Sequence, residues 1–186
     1  GVVHDEFHSS KFSQKGGDFE MIQLWVNLPS KFKMTPPRHQ SFEKGDFPII
    51  DHGDLGMSVK VIAGTFGTVT SPVKTFSPIN MYELNGPSSS QLEITLPVGS
   101  NTLVFQLSGK SSIADQQIEK GNLAILSKSG NSFNLQLLEE SKVMILSGEP
   151  LGEPVAAYGP FVMNTRQELM EAFKDFQAGK MGQLVN

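Results

Sequence analysis

The chain has 186 residues, 38% apolar and 18% charged, a balance that suits one large globular domain or two small ones and excludes a disordered segment. Its net charge of −4, with no basic stripe, argues against direct nucleic-acid contact and leaves room for a protein partner. The absence of cysteine excludes disulfides and thiolate chemistry, and no apolar run reaches the ~18 residues of a membrane span. No charged-then-apolar leader is visible, so a cytoplasmic protein (also nuclear, if eukaryotic) is the default expectation.

The first eight residues, GVVHDEFH, set His4, Glu6 and His8 two residues apart. On an extended strand, alternate side chains share a face, with about 6.6 Å between their Cα atoms. His4 and Glu6 can then present an imidazole and a carboxylate to one point, a pair that suits a divalent first-row metal. Such spacing alone more often marks a solvent-facing polar edge. His8 shares the parity and is a candidate third ligand if the strand runs that far, although Ser9-Ser10 point to a chain already turning away. Residues 9–18 read as a polar loop closed by Gly16-Gly17. Residues 19–28, FEMIQLWVNL, alternate on a period of two and predict a strand buried on one face and half buried on the other, stopped by Pro29.

Residues 30–56 carry Pro36, Pro37, Pro48 and several glycines with little periodicity, and read as a linker with a turn around Ser41-Phe42-Glu43. His39 and His52, set among turn formers, read as surface or hydrogen-bonded loop histidines. From Met57 short strands follow at close spacing: 58–63, 73–76, 80–84, 92–96, 102–107, 112–114, 123–126, 133–137 and 142–146, with Gly, Pro, Asn or Ser in every gap. That pattern predicts an all-β sandwich or barrel, whose closure removes exposed strand edges. One helix is predicted near the C-terminus. Thr165 and Glu168 fit a capping box, and Leu169, Met170, Ala172, Phe173 and Phe176 recur at helical spacing before Gly179. Its apolar face is expected to pack on a barrel, with a partner-binding helix as the alternative.

Several motifs in order carry a family resemblance. His4-x-Glu6 shortly before Gln23-Leu24-Trp25-Val26-Asn27-Leu28-Pro29, then Pro36-Pro37-Arg38-His39-Gln40, then Gly148-Glu149-Pro150-Leu151-Gly152-Glu153-Pro154-Val155 and Gly159-Pro160-Phe161-Val162-Met163-Asn164-Thr165 resemble the pirins over residues 1 to about 180. Pirins are bicupins, two tandem β-barrels, the first of which holds a metal through an H-x-H pair and a later H-x-E pair. The resemblance implies all-β tandem cupin barrels, the first incomplete, with a C-terminal α-helix. It places His4 and Glu6 at the H-x-E pair; no H-x-H occurs in the sequence, so the front of the first barrel is expected to be missing. The implied division is 1–29 as the end of a metal-binding cupin, 30–56 as linker, 57–164 as a second, metal-free cupin and 165–186 as helix and tail.

In the second barrel a cupin's ligand strand would follow a Pro-x-Gly turn. Here Pro97-Val98-Gly99 is present, but Thr102, Val104 and Gln106 stand at the candidate ligand positions, and no histidine follows His52. A transition-metal site there is not expected, and its interior is expected to be filled with apolar side chains. For the complete protein the resemblance implies one divalent transition metal, with Fe(II) the favoured ion, and quercetin 2,3-dioxygenase-type cleavage of a flavonol-like aromatic substrate. His4 would be a ligand and Glu6 a ligand and catalytic base. Phe7 and Trp25 read as core packing ahead of walls of that site. The alternative is a non-enzymatic transcription co-regulator that binds a protein partner in a redox- and metal-dependent way; for these residues alone, the bland reading is a structural β-barrel.

Overall fold

Alternation is the strongest signal in the middle of the chain, and it becomes strands. The computed structural model describes residues 1–184; residues 185 and 186, the end of the expected helix and tail, lie outside the described residues. Two compact units form, Gln40–Leu151 and Gly1–His39 together with the chain from Gly152 onward.

The first unit is the barrel. Its strands are β1 Ile49–His52, β2 Met57–Ala63, β3 Thr65–Phe66, β4 Val69–Thr70, β5 Ile79–Gly86, β6 Gln91–Thr95, β7 Asn101–Ser108, β8 Lys110–Ile113, β9 Gln116–Glu119, β10 Leu123–Leu126, β11 Ser132–Leu137 and β12 Ser141–Gly148. One sheet runs β1-β2-β5-β12-β7-β10 and a second β6-β11-β8-β9. Every pairing is antiparallel. In β2 the alternate residues Met57, Val59, Val61 and Ala63 are buried, while Ser58, Lys60 and Ile62 are half-buried. Val59, Val61, Leu84, Val104, Val143 and Ile145 from the larger sheet meet Ile94, Leu135 and Leu137 from the smaller one in a single core. On the other face Lys60 lies opposite Glu83, and their side chains form a 2.8 Å ion pair across β2 and β5.

Tyr82 is buried, and its hydroxyl donates to the Thr65 carbonyl, tying the β3–β4 hairpin to the core. Burial pushes its phenol up to about 12, so it keeps its proton across the physiological range. Two expectations change here. Residues 73–76 form no strand, because the amides of Val73 and Lys74 are taken by the Ser71 hydroxyl and the Gln40 side-chain oxygen instead of a neighbouring ladder. The expected linker contains β1, whose Ile49 to His52 pair with Lys60 to Met57. His52 is consequently no loop histidine: it ends a strand and sits edge-on to Phe66, with its Nε2 buried and without a hydrogen-bond partner among the described residues.

The second unit has a short helix, α1 Ser10–Lys15, a hairpin of β13 Ala156–Tyr158 and β14 Phe161–Met163, and the helix α2 Arg166–Gln177. The capping box at Thr165 and Glu168 forms as the sequence predicts. The apolar face of α2 meets the hairpin: Phe173 packs edge-on to Phe161, at 4.9 Å between ring centres, and against Tyr158. The predicted strand at 19–28 is absent; among the described residues nothing within residues 1–29 is a strand. A period of two names a face but supplies no partner, and without a neighbouring ladder the apolar side chains stay in solvent. Phe7 is 85% exposed and Trp25 69%, so neither packs into a core formed by the described residues. The predicted loop at 9–18 instead holds α1, whose Ser9 hydroxyl accepts from the Phe12 amide.

Candidate metal ligands and the barrel interior

His4 and Glu6 lie on exposed, irregular backbone near the start of the chain. The Val3 amide donates to the Met181 carbonyl at 2.8 Å, which ties this start to the chain beyond α2. Glu6 Oε1 accepts from Gln23 Nε2 at 3.0 Å. Gln23 is a partner that spacing could not reveal, since 17 residues separate the two. His8 does not join His4 and Glu6 as a ligand candidate: its ring stacks on Phe12 and meets Phe19 edge-on, filling a small aromatic cluster. Among the described residues no three His, Asp or Glu side chains stand close enough to hold an ion. Two exposed donors fit one half of an N/O site for a first-row metal and do not close one. No chemical step is therefore assigned through an ion.

The motifs behind the family resemblance meet elsewhere, in a polar clasp. Glu153 Oε2 accepts from the Ser30 amide at 2.7 Å and from Asn164 Nδ2 at 3.1 Å, while Oε1 accepts from the Ser30 hydroxyl at 2.9 Å. The Ser30 amide, then its hydroxyl, hold the Glu153 carboxyl below the usual carboxylate range. Lys33 Nζ donates to Asn27 Oδ1 and to the Val162 carbonyl, and burial lowers its pKa despite the nearby Glu153 and Glu168. Glu168 accepts from the Thr165 and Asn164 amides, and its bonds to Thr165 and then Asn164 lower its pKa as well. The Ser30–Glu153 and Lys33–Val162 bonds thus link segments more than a hundred residues apart, with Asn27, Asn164 and Thr165 holding their partners locally, which gives those motifs a structural role.

The barrel interior answers the question posed by the Pro-x-Gly turn. Thr102, Val104 and Gln106 all point inward from β7 and are buried. Gln106 is satisfied by protein: its Oε1 accepts from the Ser111 hydroxyl at 2.6 Å and its Nε2 donates to the Ser108 carbonyl at 2.7 Å. The space around it is filled by the apolar core. Among the described residues no helix is long and apolar enough to cross a membrane.

Two antiparallel sheets packed around one apolar core have the architecture of a cupin barrel, and a C-terminal helix follows in the chain. A model of the pirin C-terminal cupin domain matches residues 81–182. A Pseudomonas aeruginosa protein named "Putative quercetin 2,3-dioxygenase PA2418" is 37% identical over 180 residues, covering 97% of this chain and 63% of that protein. A pirin-like protein of Solanum lycopersicum is 31% identical over 186 residues, covering 98% of this chain and 62% of that protein. The crystal structure of a quercetin 2,3-dioxygenase from Acinetobacter baumannii superposes with a TM-score of 0.92 at 43% identity, covering 96% of this chain and 62% of that one. The chain belongs to the pirin family. It spans less than two thirds of the length of each of these three relatives.

Proposed function

We propose that this chain is part of a pirin-type oxygenase of the quercetin 2,3-dioxygenase class, to which it contributes His4 and Glu6 as one half of a metal site. The observation that carries this is the match over nearly the whole chain to a protein of that name at 43% identity. On this reading the remaining donors come from elsewhere in the protein, since one imidazole and one carboxylate do not close a metal site. On this reading residues 1–29 belong to the metal-binding cupin, the barrel that follows is its metal-free companion, and the protein acts in the cytoplasm. A bound divalent ion, Fe(II) by preference, would supply Lewis acidity and a template for the substrate. Glu6, oriented by the Gln23 amide, is the group that accepts a proton from a flavonol hydroxyl.

Oxygen uptake with quercetin, measured on the iron-loaded protein in its natural length, tests this. His4→Ala and Glu6→Gln should each remove turnover, and His4→Ala should also lower bound metal. A wild-type protein that binds metal but consumes no oxygen, and instead associates with a protein partner according to the metal's oxidation state, would replace the enzyme by the co-regulator reading.

A further inference from the structure

At one end of the barrel, the turn between β6 and β7 and the loop between β10 and β11 frame a cavity of about 190 Å³. We propose that this barrel mouth binds a small monocyclic aromatic carboxylate.

Leu96, Ile113 and Phe133 contribute apolar surface to its lining. Ser100 and Thr102 also line it; they are 8% and 7% exposed, and neither hydroxyl has a hydrogen-bond partner among the described residues. Neither is a buried orphan; open to the cavity, these hydroxyls are free to donate to a ligand acceptor in place of water. Ser127 and Ser129, by contrast, satisfy each other at 2.7 Å. Lys128 is the one charged residue lining the cavity among the described residues, no Asp or Glu stands beside it there, and it has no ion-pair partner among them.

Size and chemistry then select the ligand. The space is well below the roughly 300–1,000 Å³ of sites for drug-sized molecules, yet an apolar cavity of about 150 Å³ is enough for benzene. One ring fits against Phe133, with room left for a single anionic group directed to the hydroxyls and the Lys128 ammonium. The proposal is independent of the metal reading, since these residues belong to the Gln40–Leu151 unit and His4 and Glu6 to the other.

The test is an amide chemical-shift titration of the full 186-residue chain with 4-hydroxybenzoate, with benzyl alcohol and inorganic phosphate as controls. Saturable shifts are expected at Gly99, Ser100 and Gly130. Binding should weaken about tenfold or more for Lys128→Glu and for benzyl alcohol, and several-fold for Thr102→Val, which keeps the side chain's volume. Absence of shifts at those amides, shifts unchanged by Lys128→Glu, or equal binding of phosphate alone (a bare anion site) would overturn it.

Discussion

The buried amide of Gln106 gives a sharp test of how the barrel tolerates a polar group where an apolar one would fit. Gln106 and Ser111 are both fully buried, and the Ser111 hydroxyl is the partner of Gln106 Oε1. Ser111→Ala leaves that oxygen without a donor, and an orphaned buried acceptor costs about 1–3 kcal/mol. Gln106→Leu strands the Ser111 hydroxyl at a similar cost of about 1–3 kcal/mol, while the freed Ser108 carbonyl belongs to an exposed residue and can turn to water. Replacing both partners together removes both orphans, so the double variant should lie within about 1 kcal/mol of wild type, a coupling of roughly 1–6 kcal/mol. Each kcal/mol corresponds to a fall in Tm of about 2–4 °C for a chain of this size. Thermal and urea unfolding followed by far-UV circular dichroism is the assay, because the only tryptophan, Trp25, lies outside the barrel unit. Single-variant losses that simply add in the double variant would refute the idea that the pair is one satisfied unit.

Two further predictions probe the turn chemistry and the clasp. Ala114 and Asp115 join β8 to β9 with φ values of 47° and 61°, a left-handed turn that a Cβ-bearing alanine disfavours. Ala114→Asn should raise stability by about 1 kcal/mol, seen as a rise in Tm of about 2–4 °C; an unchanged or lower Tm refutes it. In the clasp, Glu153 and Glu168 titrate lower when folded than unfolded, so the folded form binds fewer protons in acid. Their stabilisation is complete above the ordinary value of 4.5 and is lost as pH falls through the lowered values. The Ser30 and Thr165 amide resonances should titrate with midpoints below 4.5, and Glu153→Gln should abolish the Ser30 titration alone; midpoints at or above 4.5 would contradict this.

Much of the barrel was legible locally. A period of two at 57–63 or 133–137 reports which side chains face a core, and strands formed there because partners lay on both sides or on one. The Thr165–Glu168 box needs only neighbours three residues apart, and it formed where the spacing placed it. The candidate site was legible only as a pair. His4 and Glu6 stand out by type and spacing, but Gln23, which holds Glu6, has no signal at a distance of 17 residues.

The sequence by itself determined the all-β class, the position of the C-terminal helix and the family, since each rests on residue order and short-range pattern. Tertiary structure alone decided that the alternating run at 19–28 is not a strand, that Glu153 meets Ser30 across 123 residues, and that a lysine and two unpartnered hydroxyls share a barrel mouth. The reason is physical: periodicity specifies the direction in which a side chain points, whereas a hydrogen-bond ladder, an ion's ligand set or a cavity depends on what another part of the chain brings to that side.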